Sequence, residues 1–163
     1  MKEDDLVRDW QLVETESLAD YRICRVRRDR RRSPRTQTEH DFYVLQMPEW
    51  VNVIAVTPAR RVVIIEQYRH GVEAVGVEIP GGVVDADDDE LAVAARRELL
   101  EETGYDADEF IKIGEVTANP AIQDNRCHTF VALGARRVSA TQLEAAEDIA
   151  VREADMDEVA ALI

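Results

Sequence analysis

Cysteine, proline and glycine are scarce in this 163-residue chain, at two, five and seven residues, and aromatics make up only 6%. The two cysteines, Cys24 and Cys127, lie far apart without a metal-ligand spacing, which argues against a disulfide scaffold and for reduced thiols in a cytoplasmic protein. The three histidines show no zinc spacing, and no Ser-His-Asp or Cys-His arrangement can be assembled. Although 45% of the residues are hydrophobic, no apolar run approaches the ~18 residues of a bilayer-spanning helix. The opening MKEDDLVRDW is acidic and has no apolar core, which argues against a secretory signal. A net charge of −14 argues against a general nucleic-acid or membrane binder. Repeats and low-complexity linkers are absent too. What is left is one domain, large enough for a real core.

The most informative stretch is PGGVVDADDDELAVAARRELLEETGY, residues 80–105. Asp87 or Asp88 can cap a helix, Leu91 to Glu102 are mostly good helix formers, and Gly104 suits a left-handed stop. Glu98, Glu101 and Glu102 are spaced three and four apart, so their side chains are neighbours, and each like-charged pair costs roughly 0.2–0.5 kcal/mol. They also sit at the negative end of the helix dipole. At ~100° per residue, Glu98 and Glu102 share a side with Leu91 and Ala95, facing whatever the helix packs on. Carboxylates crowded there call for a cation, and hard oxygen ligands select Mg²⁺, Mn²⁺ or Ca²⁺. A calcium EF-hand loop does not explain the aspartate run, because Glu90 falls where the sharp-turn glycine belongs and Arg96 where the closing glutamate belongs.

Elsewhere the pattern alternates between strands and turns. Tyr21–Val26 and Phe42–Met47 read as strands joined by an arginine-rich turn around Ser33-Pro34. A hairpin follows, Val51–Thr57 and Arg61–Arg69, turning at Pro58-Ala59-Arg60. Val77-Glu78-Ile79 is a short strand leading to the Pro80-Gly81-Gly82 turn. Phe110–Val116, Cys127–Leu133 and Ile149–Glu153 read as further strands, with Met156–Ile163 a closing helix. The expected class is α/β, a mixed sheet with helices on its faces. Residues 1–47 form an N-terminal β segment and 48–163 the main domain.

From Arg97 to Gly104 the chain resembles the Nudix hydrolases, whose signature is G-x5-E-x7-R-E-U-x-E-E-x-G-U, with U an aliphatic or similar residue. Every fixed position of the second half is matched. The first half departs. Counting back from Arg97 reaches Asp89, with six intervening residues after Gly82 instead of five, so Asp89 or Glu90 stands in for the first glutamate. The resemblance implies an α/β/α sandwich with its metal site between the loop and helix of this box. Gln67-Tyr68-Arg69, Glu78-Ile79-Pro80-Gly81-Gly82 and Pro120, fifteen residues after Tyr105, are similar to the branch that hydrolyses ADP-ribose and nucleoside diphosphate sugars. Members of that branch usually continue beyond such a closing helix, so the chain is expected to stop short of their usual end.

By this resemblance Glu98 and Glu102 would ligate Mg²⁺, with Mn²⁺ a possible substitute, and the Gly81 carbonyl would complete the set. Glu101 would be a third ligand or hold a metal-bound water, and Arg97 would orient a glutamate of the box. The general base is expected in the loop Ser139–Asp148. There Glu147 resembles a glutamate that reaches a metal, while Ala145 stands where a family glutamate can act as base, leaving Glu144 or Glu147 as candidates. Arg69 suits a phosphate or ribose contact through its bidentate guanidinium, and Glu78 is either a further ligand or an exposed strand end. The arginines from Arg22 to Arg35, Arg25 among them, either edge a substrate cleft, pair with acidic groups or form a nucleic-acid arm. Trp10, Trp50 and His128 read as packing residues as readily as functional ones.

The implied activity is Mg²⁺-dependent hydrolysis of a nucleoside diphosphate sugar, ADP-ribose first, to a nucleoside monophosphate and a sugar phosphate. Alternatives are a Nudix hydrolase of nucleoside triphosphates or dinucleoside polyphosphates, and a non-catalytic nucleotide-sugar-binding module. The branch exchanges its N-terminal β segment between two subunits, which implies a homodimer.

Overall fold

The computed structural model describes residues 6–162. The chain divides into two units: residues up to Pro48 with Thr117–Asn125, and Glu49–Val116 with Arg126 onward.

The first unit is a three-stranded antiparallel sheet of β1 (Gln11–Asp20), β2 (Arg25–Arg32) and β3 (Glu39–Gln46). Its middle strand reads RVRRDRRR, an unlikely strand by composition, made possible by acids on both neighbours. Arg28 meets Glu16 (2.6 Å), Arg30 meets Asp41 (3.0 Å) and Arg32 meets Glu39 (2.7 Å). Buried Asp29 accepts from Thr15, Arg27 and Arg31 at 2.8, 3.2 and 2.9 Å. Burial alone would raise the Asp29 pKa, but those hydrogen bonds and the two guanidinium charges hold it below the usual value. Arg27 also binds Asp124 (2.9 Å), and the Leu45 N–H donates to the Ile122 carbonyl (2.7 Å), tying residues 117–125 to the sheet. Trp10 packs edge-on to Phe42 and His40.

This corrects the sequence reading at three points. Tyr21–Cys24 is the turn between β1 and β2, not a strand. The arginine run is a strand, and only residues 34–36 turn. All of β1 went unread, because QLVETESLAD is stabilised by cross-strand charge pairing, which a single-strand pattern does not reveal.

The second unit carries a seven-stranded mixed sheet. Its path runs β12 (Ile149–Asp155), β5 (Arg61–Arg69), β4 (Trp50–Val56), β10 (Arg126–Leu133), β9 (Glu109–Thr117). Beside it β6 (Ala74–Glu78) pairs β5, and β7 (Gly81–Val83) pairs β4. The β4–β10 pair is parallel, while β4–β5, β5–β12, β5–β6 and β4–β7 are antiparallel. The expected hairpin turns at 58–60, where Arg60 adopts φ 62°. Side-chain alternation splits the core. Val51, Val53, Ala55 and Val63 face α1 (Leu91–Thr103) with Phe130 and Ala132, whereas Val62, Ile64 and Ala154 lie under Val159 of α2 (Met156–Leu162). Helices therefore cover both faces, the expected α/β/α sandwich. Ile163, read as the last helical residue, lies outside the described residues, as do residues 1–5 of the opening segment. A two-stranded ribbon, β8 (Tyr105–Asp106) with β11 (Arg136–Arg137), was too short to read. Among the described residues no helix is long and apolar enough to cross a membrane, and Cys24 and Cys127 are free thiols.

Candidate active site

The site grows from α1 and β7. Ala94, Ala95 and Leu99 are fully buried, and their small or compact side chains bring α1 close to the sheet. The helix starts at Glu90 without a side-chain cap and ends at Gly104, φ 73°, whose N–H donates to the Leu100 carbonyl (2.8 Å). No aspartate caps it, contrary to expectation, because Asp88 is engaged elsewhere. This seating points Glu102 inward at 5% exposure, a buried carboxylate in the last turn of the helix.

Glu102 accepts a hydrogen bond from the Gly81 N–H at 2.9 Å. Pro80 to Gly82 do not simply turn. Gly81 and Gly82 enter β7 and pair with Asn52 and Val51 of β4. A Cβ on Gly81 would lie 2.3 Å from the Val51 carbonyl oxygen, and one on Gly82 would lie 2.5 Å from Glu98 Oε1. Only glycine lets this strand edge meet both the sheet and the helix glutamates. Burial pushes Glu102 up to about 8, with the charges of Glu98 and Glu147 adding to it and the Gly81 N–H opposing. Burial likewise raises Glu98, against the pull of Arg97.

Arg97 organises the cluster. Its guanidinium donates to Glu98 Oε1 (2.9 Å), Glu101 Oε2 (3.2 Å), the Val83 carbonyl (2.9 Å) and both oxygens of Asp88 (3.3 and 2.9 Å). Asp88, its side chain 6% exposed, is held below its ordinary pKa by these bonds. Asp89 and Glu90 are exposed. The acid facing Arg97 is therefore Asp88, which lies five intervening residues after Gly82. Counting forward from the glycine finds it, and the extra residue of the box falls between Asp88 and the helix.

Glu147 is drawn into the field of Glu102 and Arg69, and accepts from the Glu144 N–H at 2.8 Å. Glu144 itself is exposed. The loop carrying both is anchored to α1: the Ser139 and Val138 N–H groups donate to the Gly104 carbonyl, and Gln142 N–H to the Glu101 carbonyl (2.7 Å). Arg69 and Glu78 form a bidentate pair at 2.8 and 2.7 Å, which holds Glu78 below its usual pKa. Arg25 and Pro120 belong to the other unit, where Arg25 pairs with Asp20 (3.2 Å) and Pro120 is exposed. His128 is buried and bound to Glu49 (2.9 Å), a packed histidine.

Among the described residues no three His, Cys, Asp or Glu side chains are already gathered as a metal cage; Arg97 holds Glu98 and Glu101, and Gly81 holds Glu102. The donor chemistry nevertheless suits a hard divalent cation, since Glu98 and Glu102 are crowded, shielded from water and raised in pKa chiefly by that burial. One residue missed by the sequence reading is Gln67, whose amide oxygen is buried without a donor.

A NUDIX domain model matches residues 46–162. The chain is 32% identical over 147 residues to the methanol dehydrogenase activator of Bacillus methanolicus, covering 90% of this chain and 78% of that protein. It is 36% identical over 89 residues to the ADP-ribose pyrophosphatase of Bacillus subtilis (strain 168), covering 55% of this chain. With an ADP-ribose pyrophosphatase of Mycobacterium tuberculosis it shares 26% over 136 residues, 80% of this chain. These two matches span 48% and 62% of the pyrophosphatases' own lengths. A solved structure described as an ADP compounds hydrolase superposes with a TM-score of 0.83 at 17% identity, over 97% of this chain and 84% of that one, a likeness of fold. Nudix hydrolases generally use divalent metal ions, as the carboxylates of α1 suggest for this one. The fold, the glutamate-bearing helix behind a double-glycine strand and the match across residues 46–162 agree: the chain belongs to the Nudix family and is a Nudix hydrolase.

Proposed function

We propose that the protein hydrolyses the pyrophosphate bond of a nucleoside diphosphate sugar, ADP-ribose first, to a nucleoside monophosphate and a sugar phosphate. The observation that carries this reading is the pair of shielded carboxylates, Glu98 and Glu102, beside the Gly81-Gly82 strand edge. Relatives named ADP-ribose pyrophosphatases support the substrate. Glu98, Glu102 and the Gly81 carbonyl would hold Mg²⁺ or Mn²⁺, with Glu101 and Glu147 as further ligands. When bound, the cation supplies positive charge to the diphosphate oxygens and acidifies water.

Arg97 keeps Glu98 and Glu101 oriented. Of the two candidates Glu144 and Glu147, Glu147 would take the proton from the attacking water, a choice supported by its charge acting on Glu102. Arg69 and Glu78 would meet phosphate or ribose oxygens of the substrate, and Arg25 and Pro120 remain candidate contacts from the N-terminal unit. Residues 1–47 would act as a dimerisation and substrate segment and 48–163 as the hydrolase domain, in a cytoplasmic homodimer. Turnover of a panel of nucleotide sugars and triphosphates with Mg²⁺, read by product identity, tests the proposal. ADP-ribose or another nucleotide sugar should give the highest kcat/KM; a triphosphate or dinucleoside polyphosphate ahead by tenfold or more overturns it.

The likeness to the methanol dehydrogenase activator over 90% of the chain favours a second reading, a Nudix module that modulates another protein. Absence of turnover on every member of the panel, with binding of a nucleotide sugar retained, would select it.

A further inference from the structure

Along β5, Val63, Ile65, Gln67 and Arg69 share one face of the sheet by strand alternation, and the register with both neighbours is unbroken through Gln67. Val63 and Val151, the latter opposite Ile65, pack in the core under α1, so Gln67 lies on the face that carries the glutamates. Arg69, about 7 Å further along the same face, feels the charges of Glu102 and Glu147. Opposite Gln67 on β6 stands Gly76, with no side chain to cover it. A Cβ there would come within 3.0 Å of Glu78 Oε1, the atom that accepts from Arg69. The glycine thus leaves room for the Arg69–Glu78 pair and places no side chain opposite Gln67 on β6.

The Gln67 amide oxygen is buried and has no hydrogen-bond donor. A buried acceptor without a partner is costly and calls for an explanation. Arg69, the donor two residues along this face, is committed to Glu78, and an ionised carboxylate cannot donate. Phosphate oxygens cannot donate either. On a nucleoside diphosphate sugar, the groups next to the diphosphate are the two sugars, whose hydroxyls are O–H donors, while the base lies one sugar further out. We propose that Gln67 is a specificity-determining residue whose amide oxygen accepts a hydrogen bond from a sugar hydroxyl flanking the diphosphate. This rests on the diphosphate-sugar reading above, and it makes Gln67 a reader of the sugar, separate from the groups that handle charge.

A substrate-side double-mutant cycle tests it. Wild type and Gln67→Met, of matched length and without an acceptor to strand, are compared on ADP-ribose and on analogues lacking one ribose hydroxyl at a time. For one hydroxyl, wild type should lose roughly tenfold or more in kcat/KM on its removal, the size of one hydrogen bond to a buried group. Gln67→Met should show a similar loss on ADP-ribose and indifference to that same removal. Calorimetric binding of the same ligands without metal should show the same pattern, with the variant's Tm at or above wild type. If Met lowers Tm, Gln67→Leu repeats the cycle. Equal hydroxyl-removal ratios in wild type and variant at every position would overturn the inference while leaving the diphosphate-sugar reading intact. A uniform loss on all substrates with a raised Mg²⁺ requirement would also overturn it, assigning the oxygen to a metal-bound water. If a triphosphate is the preferred substrate, the earlier reading falls, and unchanged calorimetric binding of ADP-ribose to the variant then removes this one as well.

Discussion

Glu102 stands where three effects compete. The Gly81 N–H stabilises its ionised form, while burial and the charges of Glu98 and Glu147 oppose ionisation and win. The protein holds that carboxylate in an unfavourable place, which a structural role alone would not maintain. Glu102→Gln keeps the shape, removes the repulsion and leaves an amide that is a far weaker ligand than a carboxylate. We expect turnover to fall by at least ~10²-fold, the scale of lost charge stabilisation in a transition state, with Tm unchanged or higher. Steady-state kinetics beside a thermal melt check both halves, and wild-type turnover in excess chelator would contradict the metal requirement. The cluster Glu98, Glu101, Glu102 and Arg97 was legible because one helical turn fixes which side chains meet. Asp88 was not, because a loop has no period and backward counting from Arg97 crosses the extra residue.

At the scale of elements, β7 separates two kinds of glycine. A methyl at Gly81 would strike backbone at 2.3 Å, the Val51 carbonyl, which cannot yield without breaking sheet pairing. A methyl at Gly82 meets only the end of the Glu98 side chain, at 2.5 to 2.6 Å, which can swing away. Gly81→Ala should therefore lower stability by about 1–3 kcal/mol, the range for overpacking, whereas Gly82→Ala should melt near wild type and lose activity as Glu98 is displaced. Denaturant melts and kinetics on the two variants separate these outcomes.

Strand β2 makes a second test. Asp29→Asn would leave Arg31 beside a neutral amide and Arg27 with Asp124 as its remaining acid, and should cost ~1–2 kcal/mol at neutral pH, discounted because both arginines are partly exposed. The folded-state pKa of Asp29 lies below the ordinary 3.8. Between the folded and unfolded values the unfolded chain binds more protons, so the contribution is complete above about pH 4 and is lost as pH falls through the folded value. The stability gap between wild type and Asp29→Asn should hold steady from neutral pH to about 4 and close below it. The long apolar strands β4, β5 and β10 were legible because alternation and burial coincide in them. β1 and the arginine strand were not, since their stability resides in pairs of side chains on different strands.

The whole molecule raises the question of what covers the N-terminal sheet. Three strands form one layer, and a sheet gains independent stability only when a face is packed. Leu12, Val13, Leu18, Phe42 and Tyr43 of this layer are all 41–58% exposed. Apolar side chains left open on a small sheet suit a contact surface, and the cover we predict is a second copy of the chain, closing as a two-fold dimer. We expect the intact protein to scatter light as a particle of twice 18.5 kDa at assay concentration. Deleting residues 1–47 removes β1, β2 and β3, and with them the partners of Ile122 and Asp124. The shortened chain should be monomeric or aggregated and bind nucleotide sugars much more weakly, even though Glu98, Arg97 and Glu102 remain. An active particle of about 18.5 kDa would rule out the dimer and leave the N-terminal sheet serving its own chain.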